Sequence, residues 1–241
     1  DNADSFGETL PELEKQLKNI EVEFSVHADF DFNFDIASEL KTYGDDIRVL
    51  ITKPNNVTDK LPLLVYSYGG PSSFTSGHIH RYAISSKQRA LIQQWIASLG
   101  FIVLSVDGAG TPIGTVSRED ATSEDFFEAT VADQFKAVKE CIATENVDES
   151  KVAIMGWSFG GYLSAACISK HPEVFKAAVV GAPVTDWALY DTCYTERFIG
   201  NPNTSPDNYD RSSLLNKSFS SKSKIRLIHG RSDDNVLYVN S

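Results

Sequence analysis

The stretch KVAIMGWSFGGYLSAA, residues 151–166, constrains this chain more than any other. Residues of buried-strand character run into Gly156-Trp157-Ser158-Phe159-Gly160, and a helical pattern starts at once. A strand that turns directly into a helix forces its corner residue into a strained backbone conformation. The chain segments approach one another there, so the residues two positions to either side must lack side chains. Gly156 and Gly160 meet that demand. Such a turn lifts the Ser158 hydroxyl out of the sheet top and sets it at a helix N-terminus, where the dipole favours developing negative charge. The peptide N–H of Phe159 is then a candidate oxyanion donor. The plainer reading is a serine that only caps a helix; the strand before it and the helix after it favour the nucleophile.

The same alternation of short apolar runs and helical stretches continues on both sides. LPLLVYSY precedes a helix near 85–98, FIVLSV a helix near 123–144 and KVAIMGW a helix over 158–170; KAAVVGAP and KIRLIHG follow. Unbroken apolar strands imply burial on both faces, as in a mostly parallel sheet covered by helices. Residues 61–241 therefore read as one α/β domain, with 204–224 as a serine-rich surface excursion. Residues 1–60 read as a lead-in. A short amphipathic helix is expected over 9–19, then antiparallel strands in EVEFSVHADFDFNFDI (21–36) and DIRVLITKP (46–54), pairing onto the same sheet.

Composition narrows the function classes. A formal net charge of −11 disfavours nucleic acid and anionic lipid, which need a positive field. No apolar run approaches the length of a membrane span. The first residue is Asp, so the chain reads as a processed form, a fragment or a trimmed product. Cys141, Cys167 and Cys193 are too few for a disulfide framework and read as core thiols. Sequons at Asn56, Asn203 and Asn216 say little by themselves about compartment.

A serine nucleophile needs a base and an acid. In α/β-hydrolases the order along the chain is Ser, acid, His, with the acid just past a late strand. Asp233, in IHGRSDDNV, occupies that place. The five histidines, His27, His78, His80, His171 and His229, all precede it. His229 ends a strand and reads as structural. His171-Pro172 reads as a helix stop, while His78 and His80 fall in a loop near the strand tops. A nucleophile and an acid are legible; a base in the expected position is not.

Five motifs in order, YGGP (68–71), VDGAG (106–110), GWSFGGY (156–162), APVTDWALYDTCYTERFIG (182–200) and IHGRSDDNV (228–236), resemble the catalytic domain of the prolyl oligopeptidase family, most closely its dipeptidyl peptidases. The resemblance implies an α/β-hydrolase fold with Ser158 as nucleophile and Asp233 as acid. It implies Tyr68 and the Phe159 N–H as oxyanion donors, and Val184, Trp187, Tyr190, Tyr194 and Val236 as the walls of a proline pocket. Asn235 would bond a substrate carbonyl. An i, i+3, i+7 spacing puts Trp187, Tyr190 and Tyr194 on one face of a helix. Ala109 stands where many members carry Arg.

The family's propeller is not found in this sequence. The family histidine lies past a further helix and strand, so a C-terminal strand and helix are expected to be missing. The base would then fall within roughly 25–45 residues beyond the sequence, following the acid-to-base order. The expected function is a serine exopeptidase cleaving after proline through an acyl-enzyme, with these 241 residues inactive alone. The alternatives are an esterase or acylaminoacyl-peptidase, or a catalytically dead binding protein. The resemblance implies no cofactor and no metal. It implies peptide substrates with proline or alanine second, a homodimer in the full-length protein, and a cell-surface or secreted glycoprotein.

Overall fold

The computed structural model describes residues 35–71, 79–80, 87–111 and 121–241. The helix expected over 9–19 and nearly all of the strand pattern expected over 21–36 lie outside the described residues, as do His27 and His78. All the elements below belong to one compact unit, Phe34–Ser241.

Seven strands form a single sheet: β1 (Ile36–Tyr43), β2 (Ile47–Pro54), β3 (Leu61–Ser67), β4 (Ile102–Asp107), β5 (Val147–Trp157), β6 (Ala177–Gly181) and β7 (Lys224–Ile228). Their spatial order is β1-β2-β4-β3-β5-β6-β7. The β1–β2 and β2–β4 pairs are antiparallel; every pair from β4 to β7 is parallel. The sheet is therefore mixed, with an antiparallel N-terminal part carried onto a parallel body by β2.

The helices cover both faces, as the apolar strands required. On one face, α1 (Lys87–Ser98) lays Ile92, Ile96 and Ala97 against Leu64, Tyr66, Val103 and Met155. On the other, α2 (Glu128–Thr144) and α3 (Phe159–Lys170) cover Leu63, Val65, Ile102, Leu104, Val152 and Ile154. The period of two within each strand sends alternate side chains to the two cores. Helix α2 begins later than the sequence pattern suggested, because the Asp125 carboxylate takes the N–H groups of Phe127 and Glu128 at 2.7 and 3.3 Å.

Two expectations need correction. The excursion 204–224 contains a helix, α5 (Pro206–Ser212), whose Tyr209 is buried, and Leu214 just past it is buried too. Of the three cysteines, Cys141 and Cys167 are buried, but Cys193 is exposed. Among the described residues, β7 is paired only by β6, and Ile225 and Leu227 are exposed beside an apolar groove of about 400 Å³. No described helix is long and apolar enough to cross a membrane.

The antiparallel pair is pinned at the pole where β2 ends. Glu145, just past α2, accepts from Lys41 of β1 at 2.6 Å and Lys53 of β2 at 2.5 Å, with its carboxylate only 5% exposed.

Candidate active site

Ser158 sits at the corner between β5 and α3 with φ 59° and ψ −121°. That region is unfavourable for a residue with a side chain. Its N–H donates to the Gly181 carbonyl at 2.9 Å, and its own carbonyl accepts from Tyr162 N–H in the first turn of α3 at 3.0 Å. The corner closes because side chains are missing. A Cβ on Gly156 would lie 2.4 Å from the Gly160 carbonyl oxygen, and one on Gly161 only 2.1 Å from that of Gly181. The Ser158 hydroxyl makes no side-chain hydrogen bond among the described residues, and the residue is half-buried. As the first residue of α3, Phe159 has an N–H with no intrahelical acceptor.

The loop carrying Tyr68 follows β3, whose last residue Ser67 pairs with Gly156. Tyr68 thus leaves the sheet beside the serine corner. Gly70, at φ +78°, lets this loop settle on Phe159: a Cβ there would lie 2.4 Å from the ring. Pro71 accepts from the Tyr194 phenol at 2.7 Å.

Asp233 lies in the turn after β7. Its N–H reaches the Gly230 carbonyl at 3.2 Å, and its Oδ1 accepts from Asn235 N–H at 3.1 Å and Val236 N–H at 2.9 Å. Those bonds leave Oδ2, which faces His229 Nε2 at 3.6 Å. The ends of β5, β6 and β7 are level, with Trp157 opposite Gly181 and Gly181 opposite Ile228. Ser158 and Asp233 therefore emerge from one rim of the sheet, from strands roughly 10 Å apart at two strand spacings.

The aromatic residues gather between them, though not as one helix face. Trp187 belongs to a 3₁₀ turn, Trp187–Leu189, and Tyr194 to α4 (Thr192–Ile199), with Tyr190 at the break. Asp186 and Asp191 cap the two elements separately, accepting from Ala188 N–H at 2.9 Å and Tyr194 N–H at 2.8 Å. The three rings still meet, with centroid distances of 5.7–6.1 Å. Trp187 is 1% exposed and packs on Phe126 at 4.5 Å and Phe159 at 5.5 Å. Phe126 was not anticipated as part of this cluster. Val184 and Val236 are buried in the same core, and Asn235 Oδ1 lies 3.4 Å from the Tyr190 phenol. Burial raises the phenol pKa of Tyr194 well above its ordinary value and that of Tyr190 less strongly, so both remain neutral donors.

Among the histidines, His171 caps the end of α3 and stacks on Phe135 at 3.9 Å, and His80 is exposed. The His229 imidazole is held by Val236 O and Ser241 Oγ. Ala109, buried, gives its N–H to the Asp133 carboxylate at 2.8 Å. Among the described residues no cluster of three or more His, Cys, Asp or Glu side chains could hold a metal ion.

A mixed sheet with helices on both faces and a serine corner after its central parallel strand defines an α/β-hydrolase fold. Comparison with known proteins carries this further: residues 87–241 match the model of the prolyl oligopeptidase family, and the chain belongs to that family. It is 33% identical over its whole length to the "Probable dipeptidyl-aminopeptidase B" of Paracoccidioides lutzii, covering 25% of that protein. It is 38% identical over 82% of its length to the protein of the same name from Ajellomyces capsulatus, covering 21% of it. The structure of Porphyromonas gingivalis dipeptidyl peptidase 4 superposes with a TM-score of 0.71 at 28% identity, over 85% of this chain and 29% of that one. The chain thus spans about a quarter of the length of the curated relatives it matches.

Proposed function

We propose that this chain carries the nucleophile, acid and proline pocket of a serine exopeptidase of dipeptidyl peptidase type. Ser158 attacks the carbonyl of the proline itself, releasing the amine of the next residue, and Tyr68 and the Phe159 N–H receive the oxyanion. Asp233 orients the imidazolium of the base as it forms. One observation carries the reading: Ser158 and Asp233 leave adjacent parts of one sheet rim, and an aromatic cluster lies beside them. A flat pyrrolidine suits such a wall, because its binding needs shape and apolar surface rather than charge. On this reading the Asn235 carboxamide, whose oxygen lies beside the Tyr190 phenol, bonds a substrate carbonyl through its N–H.

These 241 residues carry a restriction of their own. No histidine follows Asp233 in these 241 residues, and no imidazole bonds the Ser158 hydroxyl among the described ones. We expect residues 1–241 alone to turn over no peptide, because loss of the triad histidine costs about 10⁶ in kcat in subtilisin. The test compares a Gly-Pro anilide, a Gly-Leu anilide and a short acyl ester on the intact protein and on its Ser158→Ala variant. Serine-dependent turnover selective for Gly-Pro supports the reading; selective turnover of the ester supports an esterase instead. Robust peptide turnover by the isolated 241-residue chain contradicts the restriction.

A further inference from the structure

We propose that His229 is a positioning residue for Asp233; the inference rests on the serine-peptidase reading above. The His229 side chain is 1% exposed, at the end of β7. Its Nε2 lies 2.8 Å from the Val236 carbonyl oxygen and its Nδ1 2.6 Å from Ser241 Oγ. A carbonyl only accepts, so in the neutral ring Nε2 carries the proton, Nδ1 is the acceptor and the Ser241 hydroxyl donates.

The chain from 230 to 241 thereby folds back on one imidazole and is held by it at two points. The same Nε2–H edge faces Asp233 Oδ2 at 3.6 Å, too long for a hydrogen bond but within electrostatic reach. Asp233 Oδ1 is already committed to the N–H groups of Asn235 and Val236. The carboxylate is held with Oδ1 bonded into the loop and Oδ2 beside the imidazole edge without a hydrogen bond to it, and on the serine-peptidase reading Oδ2 is the oxygen that orients a base. The clamp continues through Asn240, which accepts from Thr185 N–H at 3.0 Å and Asp186 N–H at 3.2 Å, immediately before Trp187. Acid and pocket are thus tied to one turn, with the His229 ring at its centre. The ring is not the general base, since both of its nitrogens are already engaged within that turn.

The test uses the intact protein, with kcat and KM for a Gly-Pro anilide and thermal melts for each variant. A misplaced acid in His229→Ala is expected to lower kcat by about 100-fold, with KM within about threefold. His229→Gln, whose neutral amide can donate to Val236 O and accept from Ser241, is expected to recover kcat to within about tenfold of wild type, because it remakes both hydrogen bonds. A folded His229→Ala protein with wild-type kcat overturns the proposal, as does a folded Gln variant no better than Ala. Should His229→Ala not fold, Ser241→Ala carries the test: it removes one donor to the ring, and an unchanged kcat overturns the proposal where a fall of about threefold or more, the scale of one weak hydrogen bond, upholds it. Turnover that survives Ser158→Ala overturns the peptidase reading itself; loss of turnover in Ser158→Ala beside wild-type kcat in His229→Ala overturns only the positioning role.

Discussion

The phenol of Tyr194 donates to the carbonyl of Pro71 at 2.7 Å, joining the aromatic cluster to the loop that carries Tyr68. Pro71 is buried, so removing the phenol strands a buried acceptor. Tyr194→Phe is expected to cost about 1–3 kcal/mol of stability. If Tyr68 is an oxyanion donor, its displacement also lowers kcat by about tenfold, well inside the 10²–10³ cost of losing a donor outright. Thermal melts and steady-state kinetics on the intact protein check both; an unchanged kcat would detach Tyr68 from the mechanism.

Gly161 admits no side chain, because a Cβ there would meet the Gly181 carbonyl oxygen. Relief would require separating α3 from β6. Gly161→Ala is expected to destabilise by about 3 kcal/mol, the upper part of the usual overpacking range. A melting temperature equal to wild type would show that the corner can open without loss.

Ser158 holds a positive φ that only glycine adopts freely. Ser158→Gly should therefore abolish any activity while raising stability by about 1 kcal/mol, the strain relief exceeding the added chain entropy. Denaturant melts of this variant beside Ser158→Ala isolate the backbone contribution. A Gly variant less stable than the Ala variant would mean the corner is unstrained.

For Glu145, burial by itself would raise the pKa, but the hydrogen bonds from Lys41 and Lys53 outweigh it and leave the pKa below the ordinary 4.5. A carboxylate whose folded value is depressed adds stability that is complete above its unfolded pKa and disappears as pH falls through the folded one. Glu145→Gln is expected to cost about 2 kcal/mol at neutral pH, the scale of charge-assisted hydrogen bonds, and progressively less as the medium is acidified below pH 4.5. A cost that stays constant with pH would contradict the ion-pair origin.

Much of the fold was legible because β3, β4, β6 and the second half of β5 are short apolar runs and the serine corner carries its own glycines. What misled was spacing that two structures share. Trp187, Tyr190 and Tyr194 fall at helical intervals, yet Asp186 and Asp191 each start a separate turn, and those two acids were the available signal. Helix α5 was masked by the serines around it, although Ser205-Pro206 reads as a helix start. Strand β1 mixes four apolar residues with polar ones and buries only Tyr43 fully, so no clean alternation announced it. The pairing of Gly161 with Gly181, and the closure of 230–241 on His229, are contacts between distant segments that no local pattern encodes.

Strand β6 is only five residues long, and it stands between the strand that delivers the serine and the strand that delivers the aspartate. Gly181 takes the Ser158 N–H, and the next residue, Ala182, gives its own N–H to Ile228 at 2.7 Å. Both candidate reacting groups thus hang from the same short span of backbone. A displacement of that span would strain its backbone bonds to both neighbouring strands at once.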